Sequence, residues 1–362
     1  MPRLDRLDIR GFKSIRALDG FEPRALNVLI GANGAGKSNF IYLFRMLGRM
    51  ADRSLQVFVA EQDGPDALLF GGRRRTKRIE AEFQFGTTTY RFSLVPAGSR
   101  LIFDSEETER VGTDSTTQTV ISGHLESELK DADGGISDTF APYVRKAVTG
   151  WRVYHFHDTS ATAPVRQAHH ARDNLALKPD AGNLGAFLRR LRERYPDRHR
   201  QIVETVRLAA PFFGDFVYRK EIGDSIELEW FHADDPDTVL GPRQLSDGTL
   251  RFICLSTLLL QPVELQPELI LIDEPELGLH PAALALLAEM VQHAGDSRQV
   301  VVSTQSADLV SELEPEDVVV VDRKEGASTF TRLDQDDLSE WLKEYALGEL
   351  WKMNIFGGRP GR

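Results

Sequence analysis

"ALNVLIGANGAGKSNF", residues 25–40, passes from an apolar run through three closely spaced glycines into Lys37, Ser38 and a second apolar periodicity. "ALNVLI" reads as a buried strand, and "NFIYLFRMLGRM" as a helix with Phe40, Leu43, Phe44 and Leu47 on one face. Between them, Gly31, Gly36, Lys37 and Ser38 fit the pattern G-x-x-x-x-G-K-[ST], with a strand before it and a helix after it. Glycines let the backbone wrap a phosphate with its N–H groups inward, and the helix start adds a favourable dipole. Lys37 would then place a point charge on the β- and γ-phosphates, and the Ser38 hydroxyl can ligate Mg²⁺. Asn33, Gly34, Ala35 and Asn39 complete the expected cradle. The stretch predicts a P-loop.

Working outward, "ELILIDEP", "RQVVVST" and "DVVVVD" are short runs nearly continuous in apolar residues, and "STFTRL" is a further strand. Such strands with helices between them predict a mostly parallel sheet covered on both faces. "LILIDEPELGLH" places Asp273 and Glu274 at the end of a buried strand, where charge is costly unless something cationic faces it. Ligands of open α/β sheets gather at the carboxyl ends of the strands, on the side where the P-loop lies. Asp273 is the expected Mg²⁺ partner, and Glu274 the residue expected to polarise an attacking water.

Before the P-loop, "LDRLDIRGFKSI" reads as a strand, and after it "RIEAEFQFGTTTYRFSLV" reads as a hairpin turning at Gly86. From about residue 104 to 150 the chain turns polar ("DSEETER", "GTDSTTQT", "KDADGG") and predicts an exposed insertion with loops. "LGAFLRRLRERY", "RHRQIVETVRLAAPFF", "TLRFICLSTLLLQ" and the closing "DDLSEWLKEYALGELW" predict helices, the last with Leu338, Trp341, Leu342 and Tyr345 in register. The expected division is an N-terminal lobe over 1–103, an insertion and helical lobe over 104–260 and a C-terminal lobe over 261–362.

The 362 residues suffice for one large core or two modest ones, in a composition ordinary for a globular protein. The single cysteine, Cys254, lies in an apolar run and suits a reducing cytoplasm. No stretch is long and apolar enough to cross a bilayer, so no membrane partner is expected. The net charge of −11 disfavours general adhesion to nucleic acid but leaves room for a local basic groove. Two runs would serve: "RRRTKR" at 73–78 with five cations, and "RRLRERYPDRHR" at 189–200 with six arginines. A solvated face pairing with the chain's own carboxylates explains them equally well, and no aromatic interleaving supports base stacking. "YHFHD" sets His155 and His157 on one face of a strand with His169 and His170 soon after, a weak zinc pattern without cysteines.

The three phosphate-site motifs together resemble the ABC-type ATPases, and within them the RecF, SMC and OLD group. "GANGAGKSN" resembles their Walker A, "LILIDEP" their Walker B and "LSDGT" (245–249) their signature motif, while "DEPELGLHP" is especially similar to predicted ATPases of the AAA-15/AAA-21 type. "IRGFKSI" resembles the first strand of that group, where a basic residue approaches the nucleotide; Lys13 is the matching position. The fold implied is an α/β P-loop NTPase head with an antiparallel β subdomain and a helical subdomain carrying the signature. The cofactors implied are ATP and Mg²⁺. In this family the signature loop caps the γ-phosphate of ATP bound to the opposing subunit, which implies a homodimer closed around nucleotide through Leu245, Ser246, Asp247 and Gly248. That agrees with the residues, since Ser246 can cap the following helix or donate to a phosphate oxygen, and Gly248 permits close backbone approach. The role implied is DNA repair, chromosome maintenance or phage defence in the cytoplasm, with a separate effector protein.

Three departures accompany the resemblance. Where the family usually has a histidine after the strand following Walker B, "VVVSTQSADLV" offers Gln305, an amide without charge, so the expected turnover is slow. The usual Q-loop glutamine is not identifiable, and what remains after the C-terminal strands is too short for the TOPRIM nuclease domain of OLD proteins. Two rival readings stay open: the nucleotide-binding subunit of a transporter, and a non-hydrolysing ATP-gated scaffold.

Overall fold

The computed structural model describes residues 3–110, 116–120, 122–129, 141–219 and 224–359. Its central sheet has six strands in the order β17-β16-β3-β15-β14-β8. These are β3 (Leu26–Ile30), β8 (Trp151–Tyr154), β14 (Leu269–Asp273), β15 (Gln299–Thr304), β16 (Val318–Lys324) and β17 (Ala327–Arg332). From β16 to β8 all neighbours are parallel, and β17 returns antiparallel along β16. The apolar runs are unbroken because both faces are covered. Leu29, Leu269, Leu271 and Val301 pack with Phe40, Phe44 and Leu47 of α1 (Lys37–Ala51). Val28, Ile30, Ile270, Ile272, Val300 and Val302 face α7 (Asp247–Leu260) and α8 (Pro281–Gly295). The pleat thus sends odd-numbered residues of β14 and β15 towards α1 and even-numbered ones to the other side.

A second six-stranded sheet, antiparallel in the order β2-β1-β4-β5-β6-β7, lies over the far side of α1. It comprises β1 (Arg6–Phe12), β2 (Ile15–Phe21), β4 (Ile79–Phe85), β5 (Thr88–Ala97), β6 (Arg100–Arg110) and β7 (Thr116–Val120). The single strand expected at the N-terminus is therefore a hairpin, turning at Lys13–Ser14, and the hairpin expected at Gly86 joins β4 to β5. Trp151 wedges against Phe44, Phe83 and Phe85, joining the two sheets through α1. Beside the sheet run α2 (Leu55–Glu61), the single turn α3 (Pro65–Leu68) and α4 (Ala141–Thr149). The helical lobe is built from α5 (Leu184–Arg194), α6 (Pro196–Ala209) and α7. Next to it lie β10 (Phe213–Phe216), β12 (Trp230–His232) and β13 (Asp235–Leu240), and a short pairing of β9 (His169–His170) with β11 (Ser225–Ile226). No helix among the described residues is long and apolar enough to cross a membrane.

Two expectations fail, each for a physical reason. Asp104–Arg110 are not loop but the second half of β6, so the antiparallel sheet runs past residue 103. Their acidic composition hides a strand because Glu106, only 1% exposed, is satisfied internally. Its carboxylate accepts from the Tyr90 hydroxyl (2.7 Å), the Ser127 hydroxyl (2.5 Å) and the Glu128 amide (2.8 Å), with the His124 ring at 3.1 Å. Residues 112–115 and "KDADGG" of the same expectation lie outside the described residues. Glu106→Gln, which sets an NH₂ group against these donors, is expected to cost about 1–3 kcal/mol. A lowered urea midpoint with an unchanged slope checks it.

The closing amphipathic helix is broken into α10 (Gln335–Leu338), a 3-10 turn at Trp341–Lys343 and α11 (Leu347–Lys352). Side-chain caps restart the chain: Asp334 accepts from the Asp336 amide (2.9 Å) and Glu349 from the Ala346 amide (2.9 Å). Leu338 stays buried, whereas Trp341 and Tyr345 turn out to solvent. Between β15 and β16, α9 (Ala307–Ser311) packs against α11.

Candidate functional site

The P-loop sits where expected, between Ile30 at the end of β3 and Lys37 at the start of α1. Gly36 adopts φ +119°, and a Cβ there would overlap the Ser328 and Ser14 hydroxyls, so glycine is required. Those hydroxyls form a directed chain. Ser328 Oγ donates to the Ala35 carbonyl (2.5 Å), which leaves Ser14 to donate to Ser328 (2.6 Å) and to accept from the Asn39 amide (2.7 Å). Asn39 thus braces the loop from α1, while Asn33, Gly34 and Ser38 are exposed along its rim. The Lys37 ammonium, nearly buried, donates to the carbonyls of Gly31 (2.6 Å) and Ala32 (3.2 Å). Burial lowers its pKa, and the charges of Glu274, Asp273 and Glu276 act in the opposite sense. The first turn of α1 carries no acidic residue of its own to oppose its anion-attracting end.

Lys13 is held at φ +48° in the β1–β2 turn, its main-chain N–H donating to the Leu68 carbonyl (2.7 Å). Its ammonium lies 4.6 Å above the Tyr42 ring and donates to Gln62 Oε1 (3.1 Å), so it reaches the flank of α1. Burial lowers its pKa.

Across from the loop, at the carboxyl end of β14, Asp273 Oδ1 accepts from the Ser303 hydroxyl, and the Asp273 carbonyl accepts from His157 Nε2 (2.7 Å). Glu274 has φ +46°, a conformation that costs a side-chain-bearing residue about 1–2 kcal/mol. Its amide donates to the Ser303 carbonyl (2.8 Å), and its Oε1 accepts from Gln305 Nε2. Gln305 also donates its main-chain N–H to Glu276 Oε1 (2.7 Å). Burial raises the Glu276 pKa, partly offset by that N–H, and its Oε2 is buried without a hydrogen-bond partner. Asp273, Glu274 and Gln305 are therefore brought together, and Lys37 lies within their field.

The signature corner is a helix N-terminus at the surface. Ser246 Oγ accepts from the Thr249 amide (3.1 Å) and caps α7, Leu245 is buried, and the Asp247 side chain is 67% exposed. Gly248 lies so close to the Gly278 carbonyl that a Cβ would overlap it. Two buried arginines that sequence reasoning missed hold this corner. Arg166 donates to the carbonyls of Thr159 (2.7 Å), Leu245 (3.2 Å) and Pro242, and pairs with Asp247 (2.7 Å). Arg251 donates to the carbonyls of Phe156 (2.8 Å), His157 (3.1 Å) and Leu277. The available signal was a lone cation inside the apolar run "LRFICLSTLLL". Ser14, Ser303, Ser328 and Glu276 were missed too; the first three act through partners remote in sequence.

The histidines do not form the zinc pattern. His155 and His157 follow the end of β8 with ring centroids 5.8 Å apart, and His169 Nε2 donates to the Pro164 carbonyl (2.8 Å). No group of three metal-ligating side chains occurs among the described residues. The basic runs are largely engaged within the chain. Arg73 pairs with Asp66, Arg78 with Asp104, Arg189 with Glu193 and Arg200 with Asp197, while Arg75 stacks on Phe70 and Arg192 on Tyr218.

Residues 26–311 match the family model described as "AAA domain, putative AbiEii toxin, Type IV TA system". The DNA replication and repair protein RecF of Nitrosococcus oceani is 26% identical over 165 residues, 44% of this chain and 41% of that protein. The matched region thus spans less than half of that relative's length. Among solved structures, the SMC head bound to the C-winged helix domain of ScpA superposes with a TM-score of 0.56 at 13% identity, covering 94% of this chain and 100% of that one. An Smc head domain with an extended coiled coil, bound to the C-terminal domain of ScpA derived from Pyrococcus furiosus, gives 0.53 at 14% identity, covering 95% and 99%. These likenesses establish the SMC-head fold. The chain belongs to the AAA domain family whose model it matches, with the fold of the SMC heads.

Proposed function

We propose that this chain binds ATP with Mg²⁺ at the Gly31–Ser38 turn and hydrolyses it as a homodimer, the Ser246–Gly248 corner of each protomer closing on the triphosphate held by its partner. The observation that carries this reading is the pairing of two helix starts. The α1 start adjoins a lysine and three carboxylates, and the α7 start stands at the surface with its serine cap exposed. The loop amides and Lys37 would hold the phosphates, and Ser38 and Asp273 the Mg²⁺, which when bound neutralises charge on the phosphate oxygens. The hydroxyl that Ser303 points at Asp273 fixes that carboxylate's direction. Lys13 and Asn39 flank the nucleotide side of α1. Glu274 is the general base, oriented by the Gln305 amide.

Because Gln305 carries no charge, Gln305→His is expected to raise turnover several-fold, at a pH where the imidazole is partly protonated. An unchanged rate would show that the missing charge does not limit hydrolysis. Phosphate release, measured with and without DNA, together with light scattering in a non-hydrolysable ATP analogue, tests the whole reading. A protein that stays monomeric when saturated with the analogue contradicts the sandwich. One that dimerises yet releases no phosphate is the ATP-gated scaffold, which the neutral Gln305 favours as the second reading.

The name of the matching relative supports a role in DNA repair, and that of the family model a part in a toxin system. The SMC heads are bound to a separate protein, in line with an effector partner here. The buried thiol of Cys254 suits the cytoplasm. Any DNA contact would fall to cations of the two basic runs that form no ion pair among the described residues, such as the exposed Arg74 and Arg194.

A further inference from the structure

We infer that His155 is a ligand-side residue of the nucleotide site: its imidazole faces the divalent cation that accompanies the triphosphate, beside Asp273. This rests on the ATP-binding reading above.

The placement follows from register. Strand β8 pairs in parallel with β14, Tyr154 lying opposite Ile272, so the next step brings His155 level with Asp273. Tyr154 and Phe156 belong to the core on the α7 and α8 side, so the intervening His155 emerges on the α1 side, as Asp273 and Ser303 do. On α1, Ser38, Tyr42 and Arg45 fall on one stripe at helical spacing, and Arg45 and Asp273 both act electrostatically on His155. The ring is thus bounded by the P-loop helix on one side and the Walker B strand on the other.

The neighbouring groups are committed and His155 is not. His157 spends its Nε2 proton on the Asp273 carbonyl, which ties the chain beyond β8 to β14. Arg251 holds the carbonyls of Phe156 and His157, fixing the backbone just after His155. The His155 Nε2 atom is buried and has no hydrogen-bond partner. Buried polar atoms without partners are uncommon and mark places that a ligand completes. Among the described residues no three ligating side chains gather by themselves, so the cation arrives with phosphate oxygens as its other ligands. An imidazole nitrogen in an otherwise oxygen site raises affinity for first-row divalent ions relative to Mg²⁺.

The test is pulsed EPR of the intact protein with Mn²⁺ and a non-hydrolysable ATP analogue. The wild type is expected to show nitrogen hyperfine coupling from a directly bound imidazole. His155→Ala and His155→Gln are expected to lose it, and both should lower the ratio of analogue affinity in Mn²⁺ to that in Mg²⁺ several-fold. His155→Gln, which keeps the volume and offers an oxygen, should lose less analogue affinity in Mg²⁺ than His155→Ala does. A wild-type complex without nitrogen coupling, or coupling that persists in His155→Gln, overturns the assignment to His155 alone. Failure of the analogue to bind with either metal overturns the ATP-binding reading itself.

Discussion

Replacing Glu274 with glutamine is expected to slow ATP turnover by about 10²–10⁴ while leaving nucleotide affinity equal or higher, the range expected for loss of a general base. The amide is nearly isosteric, and its oxygen can still accept the bond from Gln305 Nε2, so the unusual backbone at φ +46° keeps its support. What disappears is the carboxylate's capacity to take a proton. Affinity should not fall, because Glu274 is one of three carboxylates near Lys37, and removing one negative charge eases approach of a triphosphate. Glu276 is a poor substitute base, since one of its oxygens accepts from the Gln305 main chain and the other is buried from solvent. Steady-state phosphate release and titration with a fluorescent nucleotide separate the two quantities. Full activity in the variant would remove Glu274 from the base role; a parallel loss of binding would make it structural.

How much of this was legible in sequence follows from how far each group's partners lie along the chain. The P-loop could be read because strand, glycine turn and helix are contiguous, and each local preference agrees with the others. Asp273 and Glu274 could be read because four apolar residues precede them and set them at a strand end. The braces could not. Ser328 reaches Ala35 across 293 residues, and Ser303 reaches Asp273 across 30, distances at which a serine carries no local signal. Arg251 and Arg166 were hidden because their partners are main-chain carbonyls, which no pattern of side chains reveals. Glu106 misled in the opposite direction, since acidic composition normally argues for solvent and here four nearby donors override it. The closing helix failed because periodicity records a face but not an interruption, and the Asp334 and Glu349 caps restart the chain within a single apolar stripe.

Ser246→Asp separates the structural from the functional role of the signature corner. Aspartate caps a helix as well as serine does and suits the positive end of α7, so the thermal midpoint is expected to stay within a few degrees. Nucleotide binding to a single chain should also hold, because the P-loop, Lys37 and Asp273 are supported by contacts that do not involve Ser246. The dimer, however, would bring a new carboxylate against the partner's triphosphate. Like-charge juxtaposition at an interface costs several kcal/mol, and each 1.4 kcal/mol is about tenfold, so nucleotide-dependent association should weaken by at least about 100-fold. Turnover should fall with it, since hydrolysis in the proposed sandwich needs both chains. Light scattering in the analogue reports association, a thermal melt reports the cap, and a titration at low protein concentration reports single-chain binding. Loss of association with the other two unchanged is the pattern that only a corner facing a phosphate on another chain produces. A variant that still dimerises and turns over at the wild-type rate would leave Ser246 as a helix cap alone.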